Sequence, residues 1–508
     1  MKKYLFLFAG LLLVACSKDD ETLGPGGPDP DPDANVTVQN FMWQAMNLWY
    51  YWQGEVPDLA DTRFTTMAEY TEFLSSESDP SAFFFNKLTF SEDRFSFLNQ
   101  DYKELTQNLA GISRSNGLEF GLTYNDANGN NQLDATDPVF GVVRYIVPNS
   151  NASLADIGRG EIFMGVDNQD LNGGNYISLL FGDNATYTLK MADLAGGTLT
   201  ANGKEVTLTK EEGLEENPVF LVKSFDISGQ KIGYLMYNGF TNEYDEELND
   251  AFGALVADGV TDLVLDLRYN SGGSVNSSRL LSSMIFGRAV NDIYLVQRWN
   301  DKIQEAFTRE DATALNDYFA DETGAGTPIN TLNLSRVYIL TTRSTASASE
   351  LVINGLNPYM TVIKIGTTTT GKNEFSLTMV DDPDRPGAPF IYSAARENFI
   401  NPDNQWAIQP LVGRNENSEG FSDYTNGFAP DIELREDLEN MGVLGDANEP
   451  LLARALQEIT GVSAKVGLQA VAPFEAFTHS GMFKPLKDNM VLDKELHLPE
   501  LPRPAGIQ

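Results

Sequence analysis

From Gln230 to about Glu436 short apolar runs alternate with amphipathic ones, and this alternation restricts the fold more than any other feature of the sequence. Ile232 to Tyr237 reads as a strand, Asp245 to Ala257 as a helix burying Leu248, Phe252, Leu255 and Val256, and Leu263 to Leu267 as a short buried strand. Strand, helix and strand in that order predict parallel pairing, because parallel neighbours need a crossover long enough to hold a helix. Two further units of this kind follow. One begins with the apolar run Val337 to Thr342, passes through Arg343-Ser344-Thr345-Ala346, and enters a helix at Ser347-Ala348-Ser349-Glu350. Gly371-Lys372 comes next, with Lys372 placed 25 residues after Ser347.

A chain of 508 residues is too long for one core, so about two to four domains are expected. Residues 215–440 contain the alternating pattern. Residues 38–105 read as a helical domain, with Phe41, Ala45, Leu48 and Trp52 at helical spacing; the aromatic cluster Trp43, Trp49, Tyr50, Tyr51 and Trp52 reads as packing between helices before it reads as a carbohydrate platform. Residues 111–210 turn to short β-rich runs, with Gly117-Leu118-Glu119-Phe120 opening one strand and Val142 to Val147 forming another. Residues 441–508 read as a helical appendage with a loose, Pro-rich tail.

Within 111–210, Asp126, Asn128, Asn130, Asp134 and Asp137 occupy positions 1, 3, 5, 9 and 12 of a twelve-residue stretch, the spacing of a calcium loop. Position 6 is Asn131 where the turn favours glycine, and Asp137 is shorter than the usual glutamate. A structural calcium site and a metal-free polar hairpin tip both fit these residues. No other cofactor is required.

Lys2 and Lys3 precede an apolar run from Tyr4 to Leu12 that is too short to span a bilayer, and Leu13-Val14-Ala15-Cys16 follows. Residues 1–16 resemble a bacterial lipoprotein signal, which makes Cys16 the expected acylation site and implies an outer-membrane lipoprotein facing the periplasm or the cell surface. Cys16 is the only cysteine, so no intramolecular disulfide can form. Residues 17–37, rich in Gly, Pro and Asp, form a disordered tether, and the acidic residues just behind Cys16 resemble the surface-export signal of Bacteroidetes lipoproteins. A formal net charge of -37 removes nucleic acid from the list of partners, since phosphate neutralisation needs basic patches.

The reactive pair offered by the sequence is a serine and a lysine. The chain has two histidines, His479 and His497, both near its end, and they give little support to a histidine-based triad. A lysine can take a proton from a serine hydroxyl only if desolvation brings its pKa from about 10.4 toward neutrality. The small residues of Gly366-Thr367-Thr368-Thr369-Thr370-Gly371 permit a close approach of Lys372 to Ser347. Ser347 precedes a helix, whose first N–H groups favour developing negative charge, so the Ala348 N–H is one candidate oxyanion donor. Gly272 and Gly273, in a turn after the Asp262 to Leu267 strand, supply the other.

Asp266-Leu267-Arg268-x-Asn270-x-Gly272-Gly273, then Ser347-Ala348-Ser349-Glu350, then Gly371-Lys372 resemble, in this order, the C-terminal processing, or tail-specific, serine peptidases. The resemblance covers roughly residues 111–437, and residues 38–105 look like the N-terminal region of Bacteroidetes members. It implies a multidomain α/β protein: a ClpP/crotonase-like protease core, a PDZ-like domain and an N-terminal helical region. It also implies Ser347 as nucleophile, Lys372 as base, and Gly117, Leu118, Glu119 and Phe120 as the loop that holds a peptide's C-terminal carboxylate. Some members carry a glutamine four residues after the lysine, where this chain has Ser376, and others an aspartate eleven residues after the serine, where it has Pro358. Ser376, Glu350 and Thr370 are therefore the candidates to orient Lys372. Polypeptides are the expected substrates. The competing reading is a catalytically silent, peptide-binding surface lipoprotein, although such a protein has no chemical reason to keep both Ser347 and Lys372. Acyl-CoA chemistry on the same fold lacks a basic phosphate-binding loop here.

Overall fold

The computed structural model describes residues 36–126, 129–130, 132–309, 311–462, 474, 476–484 and 489–493. The N-terminal signal with Cys16, nearly all of the tether and Asn128 of the acidic loop lie outside the described residues.

Helix α1 (Thr37–Trp49) buries Phe41, Met42, Ala45, Leu48 and Trp49, and α2 (Met67–Leu74) is capped by Thr66, whose hydroxyl accepts the Glu69 N–H. These side chains do not form a core of their own. Trp49 packs on Trp299 with ring centroids 6.0 Å apart and donates its indole N–H to the Pro389 carbonyl, and Phe41 meets Phe390 at 5.9 Å. The helical region is thus one wall of the unit that contains residues 230–433, and its aromatic stripe serves packing.

The next unit is an antiparallel sheet in which β1 (Leu118–Tyr124), β2 (Val139–Ile146), β3 (Ile162–Val166), β4 (Thr186–Ala195) and β5 (Thr198–Thr209) are neighbours in that order. Alternate residues face a core of Leu122, Val143, Phe163, Leu189 and Leu208, and the short helix α3 (Tyr176–Leu180) covers one side. The outer edge of β1 is not free, as described below.

The alternating region folds as its pattern requires. Strands β6 (Val219–Ile227), β7 (Gln230–Tyr237), β8 (Asp262–Asp266), β10 (Arg336–Thr341), β11 (Thr361–Gly366) and β14 (Ile432–Glu433) form one sheet, antiparallel only between β6 and β7. The crossover between β7 and β8 is α4 (Asp245–Ala257), and that between β10 and β11 is α6 (Ala348–Leu356). In α4 the buried face carries Leu248, Phe252 and Leu255, whereas Val256 is 44% exposed. A step of one residue turns the helix by about 100°, which carries Val256 off the face that Leu255 occupies. A second sheet lies beside the first and contains β9 (Gly272–Ser274), which feeds α5 (Val275–Phe286), together with β12 (Glu374–Ser376) and β13 (Leu411–Glu416).

The segment after residue 440 is not an appendage. Helix α7 (Pro450–Thr460) buries Leu451, Leu452 and Leu456 against Tyr234, Val264 and Leu340 of the first sheet. Further on, β15 (Thr478–His479) pairs with the edge of β1, and β16 (Asn489–Val491) inserts between β9 and β12. Among the described residues no helix is long and apolar enough to cross a membrane.

Candidate active site

Ser347 stands immediately before α6 with φ +62° and ψ −116°, a conformation that costs a residue with a side chain on the order of 1–3 kcal/mol. The surrounding bonds hold it there. Glu350 accepts the Ser347 N–H at 2.9 Å, the Ser349 hydroxyl donates to the Asn270 carbonyl at 3.0 Å, and the Ala346 N–H donates to the same carbonyl at 3.2 Å. The Ser347 Oγ itself is buried and has no hydrogen-bond partner among the described residues. A strained backbone combined with an unpartnered hydroxyl is a combination that packing alone does not call for.

Glu350 links the serine to the lysine. Its buried carboxylate accepts the Ser347 and Lys372 N–H groups through one oxygen, both at 2.9 Å, and the Gly371 N–H at 2.7 Å and the Thr369 hydroxyl through the other. Burial pushes this carboxyl up to about 7, against the opposing pull of those four donors. Of the three candidates to orient Lys372, Glu350 therefore holds the lysine's main chain and not its amine. Thr370 turns away and donates to the Arg343 carbonyl at 2.6 Å.

The fully buried Lys372 amine donates to Asn489 Oδ1 at 3.0 Å and lies 5.0 Å from the centre of the Phe95 ring. Ser376 stands behind Asn489. Its hydroxyl donates to the same Oδ1 at 2.8 Å and accepts from Gln409 Nε2 at 3.0 Å. Ser376 thus shares Asn489 Oδ1 with the lysine. Nothing in the motifs points to Asn489, which lies 117 residues from Lys372. The short apolar run Met490-Val491-Leu492 behind it is the one signal of a strand in that part of the tail.

Gly272 and Gly273 have φ +115° and +130°, and Gly272 lies against the serine while Gly273 lies against Phe240. A Cβ on Gly272 would sit 2.7 Å from Ser347 Cβ and 2.3 Å from the Asn489 carbonyl oxygen, so no other residue fits. The Gly272 N–H donates to Asn270 Oδ1 at 3.0 Å, and Gly273 lies in the ladder with β16. Ala348 opens α6 and is fully buried.

Just before this turn, the fully buried Arg268 guanidinium pairs with Asp266 at 2.8 Å, with Glu449 at 2.6 Å and with Glu436 at 3.3 Å. Arg159, from the antiparallel domain, reaches the same Glu436 at 2.9 Å. The Asp266-Leu267-Arg268 motif therefore anchors the glycine turn and joins it to the neighbouring domain.

In that domain Gly117 has φ +79°, and a Cβ there would lie 2.2 Å from Ser150. The Gly117 and Leu118 N–H groups donate to Ser115 and Asn116 side chains, both at 3.0 Å, and the Phe120 N–H donates to Ser480 Oγ at 3.1 Å. Glu119 accepts from Ser480 and, at 2.7 Å, from Lys484. In the acidic loop, Asp126 accepts the Gly129 N–H, Asp134 accepts from Asn130 Nδ2, and Asp137 accepts the Asp134 N–H. Among the described residues no three His, Cys, Asp or Glu side chains gather as a metal site. A cavity of about 910 Å³ opens between this domain and the core, lined by Thr367 to Thr370, Arg144, Arg343 and His479.

Residues 231–433 match the profile of peptidase family S41, and residues 37–97 match that of the peptidase S41 N-terminal domain. The chain is 29% identical over 189 residues to a probable CtpA-like serine protease of Staphylococcus aureus; the match covers 34% of this chain and 33% of that protein. It therefore spans about a third of the length of the staphylococcal relatives it matches. It is 24% identical over 294 residues to a chloroplastic C-terminal processing peptidase of Tetradesmus obliquus, 56% of each chain. The crystal structure of a putative S41 protease from Bacteroides fragilis superposes with a TM-score of 0.61 at 28% identity, covering 86% of this chain and 100% of that one.

Proposed function

Because the chain belongs to peptidase family S41, we propose that it is a serine endopeptidase that cleaves exported or extracellular polypeptides with Ser347 as nucleophile and Lys372 as general base. The observation that carries this reading is the Glu350 carboxylate, which binds the backbones of Ser347 and Lys372 together beside a strained serine whose hydroxyl has no partner among the described residues. In the reaction the neutral Lys372 amine takes the Ser347 hydroxyl proton as Oγ attacks the peptide carbonyl. The Gly273 and Ala348 N–H groups receive the developing oxyanion. Collapse breaks the C–N bond, the lysine ammonium returns its proton to the leaving amine, and water then hydrolyses the ester.

Recognition of substrate C-termini through a PDZ-like domain belongs to the same proposal. The support is the Gly117 to Phe120 loop at the start of β1, whose outer edge pairs antiparallel with Thr478 and His479 of the same chain. The signal-like residues 1–16 and the acidic residues after Cys16 support an outer-membrane lipoprotein of the Bacteroidetes type. A fluorophosphonate probe and a casein assay test the chemistry. Labelling at Ser347 that disappears in Ser347→Ala is expected, and undiminished hydrolysis by that variant would overturn the assignment. A library of peptides with free and amidated C-termini tests tail dependence.

A further inference from the structure

We propose that the chain's own C-terminal segment, Phe477–His479 with Asn489–Asp493, is a built-in pseudo-substrate that fills both peptide grooves of the enzyme and must leave for a substrate to enter. This rests on the assignment of Ser347, Lys372 and the glycine turn made above. A substrate main chain laid along β9 would bring a scissile carbonyl to Ser347 and the glycine turn, because Gly272 lies against the serine. That slot holds β16. Gly272, Gly273 and Ser274 pair with Asn489, Met490 and Val491 on one side, and Ser376 of β12 pairs with Val491 on the other. The Asn489 carbonyl lies so near the serine that a single added Cβ on Gly272 would touch both.

The same insertion takes up the lysine. Lys372 Nζ donates to Asn489 Oδ1, and the Ser347 hydroxyl has no hydrogen-bond partner among the described residues, so serine and lysine are not hydrogen-bonded to each other in this state. The segment is also tied down beyond the slot. Asp493 accepts from the Ser274 hydroxyl at 2.6 Å, from Asn242 Nδ2 at 3.1 Å and from the Asn276 N–H at 3.3 Å.

A second groove is filled upstream. Thr478 and His479 pair antiparallel with Leu122 and Gly121 of β1, and the Phe477 ring meets Tyr124 at 5.6 Å and Tyr176 of α3 at 5.5 Å. Ser480 takes the Phe120 N–H, the loop donor that a bound peptide would need. One segment thus adds as a strand to the antiparallel domain and as a strand to the catalytic slot, the two engagements that a polypeptide substrate would make. The slot accordingly suits an extended peptide with a hydrogen-bond acceptor facing Lys372 and an acidic residue four positions later.

The test compares the full chain with two release variants of it, Asp493→Lys, which removes the anchor, and Met490→Pro, which cannot sustain the ladder with β9. Two readouts are taken: the second-order rate of fluorophosphonate labelling at Ser347, and binding of a fluorescein-labelled peptide of residues 486–496 by anisotropy. Labelling at least ten-fold faster in the release variants, with the peptide binding to them and not to the parent, is the expected result. Labelling no faster than in the parent, without peptide binding, would overturn the proposal and make β16 a fixed part of the site. Peptide binding to the release variants without labelling of Ser347 in any form would uphold the pseudo-substrate and refute the serine assignment. Circular dichroism melting of each variant confirms that it is folded.

Discussion

Arg268 and Ser347 are both fully buried, and they follow strands β8 and β10, which pair side by side in one sheet. Arg268 is surrounded by Asp266, Glu449 and Glu436, and each charge in the group has a partner. Ser347 has a strained backbone and a hydroxyl with no partner among the described residues. The difference separates what a fold needs from what a reaction needs. Buried charge is retained for architecture when every group is satisfied, whereas an unsatisfied, strained hydroxyl persists only because its neighbours over-determine its position.

That contrast can be broken deliberately, beginning with the serine. Ser347→Ala should lower turnover of a casein or fluorogenic peptide substrate by on the order of 10⁴-fold or more, with a melting temperature equal to or above the parent's. Lys372→Met should lose about 10²- to 10⁴-fold by the same assay. Arg268→Met should do the reverse of the serine variant. It leaves three carboxylates grouped without their central cation, and urea unfolding should show a loss of roughly 3–5 kcal/mol.

Glu350 lies between the two kinds of site, and pH separates its contributions. The folded carboxyl keeps its proton up to about pH 7, whereas the unfolded one releases it near its ordinary value of 4.5. Between those values the folded state binds more protons, so stability contributed by this group falls as pH rises and stays low above 7. The expected difference is roughly 3 kcal/mol between pH 4.5 and 7. Unfolding curves of Glu350→Gln across that range should lack this slope. The smallest effect is expected of Ser376→Ala, which removes one hydrogen bond from Asn489, worth about 1 kcal/mol, and should speed Ser347 labelling roughly five-fold.

The residues most legible in the sequence were those whose signals are local. The β-α alternation follows from hydrophobic period, and Ser347, Lys372 and the two glycines stand at a helix start and at turns, where one residue type is required. Thr370 is one of the three candidates that the sequence offers for orienting the lysine, yet Thr369 is the one that meets Glu350. Neighbours in extended chain point to opposite sides, and sequence alone does not say which side is inward. Asn489 was invisible for a different reason. A strand of three residues, paired with partners more than a hundred positions away, leaves no period to read, and its Pro-rich surroundings suggested a tail. The same long-range pairing explains why residues after 440 seemed separable when they close both sheets.

The lysine is enclosed by Phe95 from near the start of the chain and Asn489 from near its end, nearly four hundred residues apart. A ribosome releases the first of these long before the second. The environment that governs this amine therefore cannot exist on a partial chain, and every shorter nascent intermediate lacks it. The closed arrangement in which Asn489 holds this amine is therefore assembled late, once residues 489–493 have been made and can reach the pocket beside Phe95.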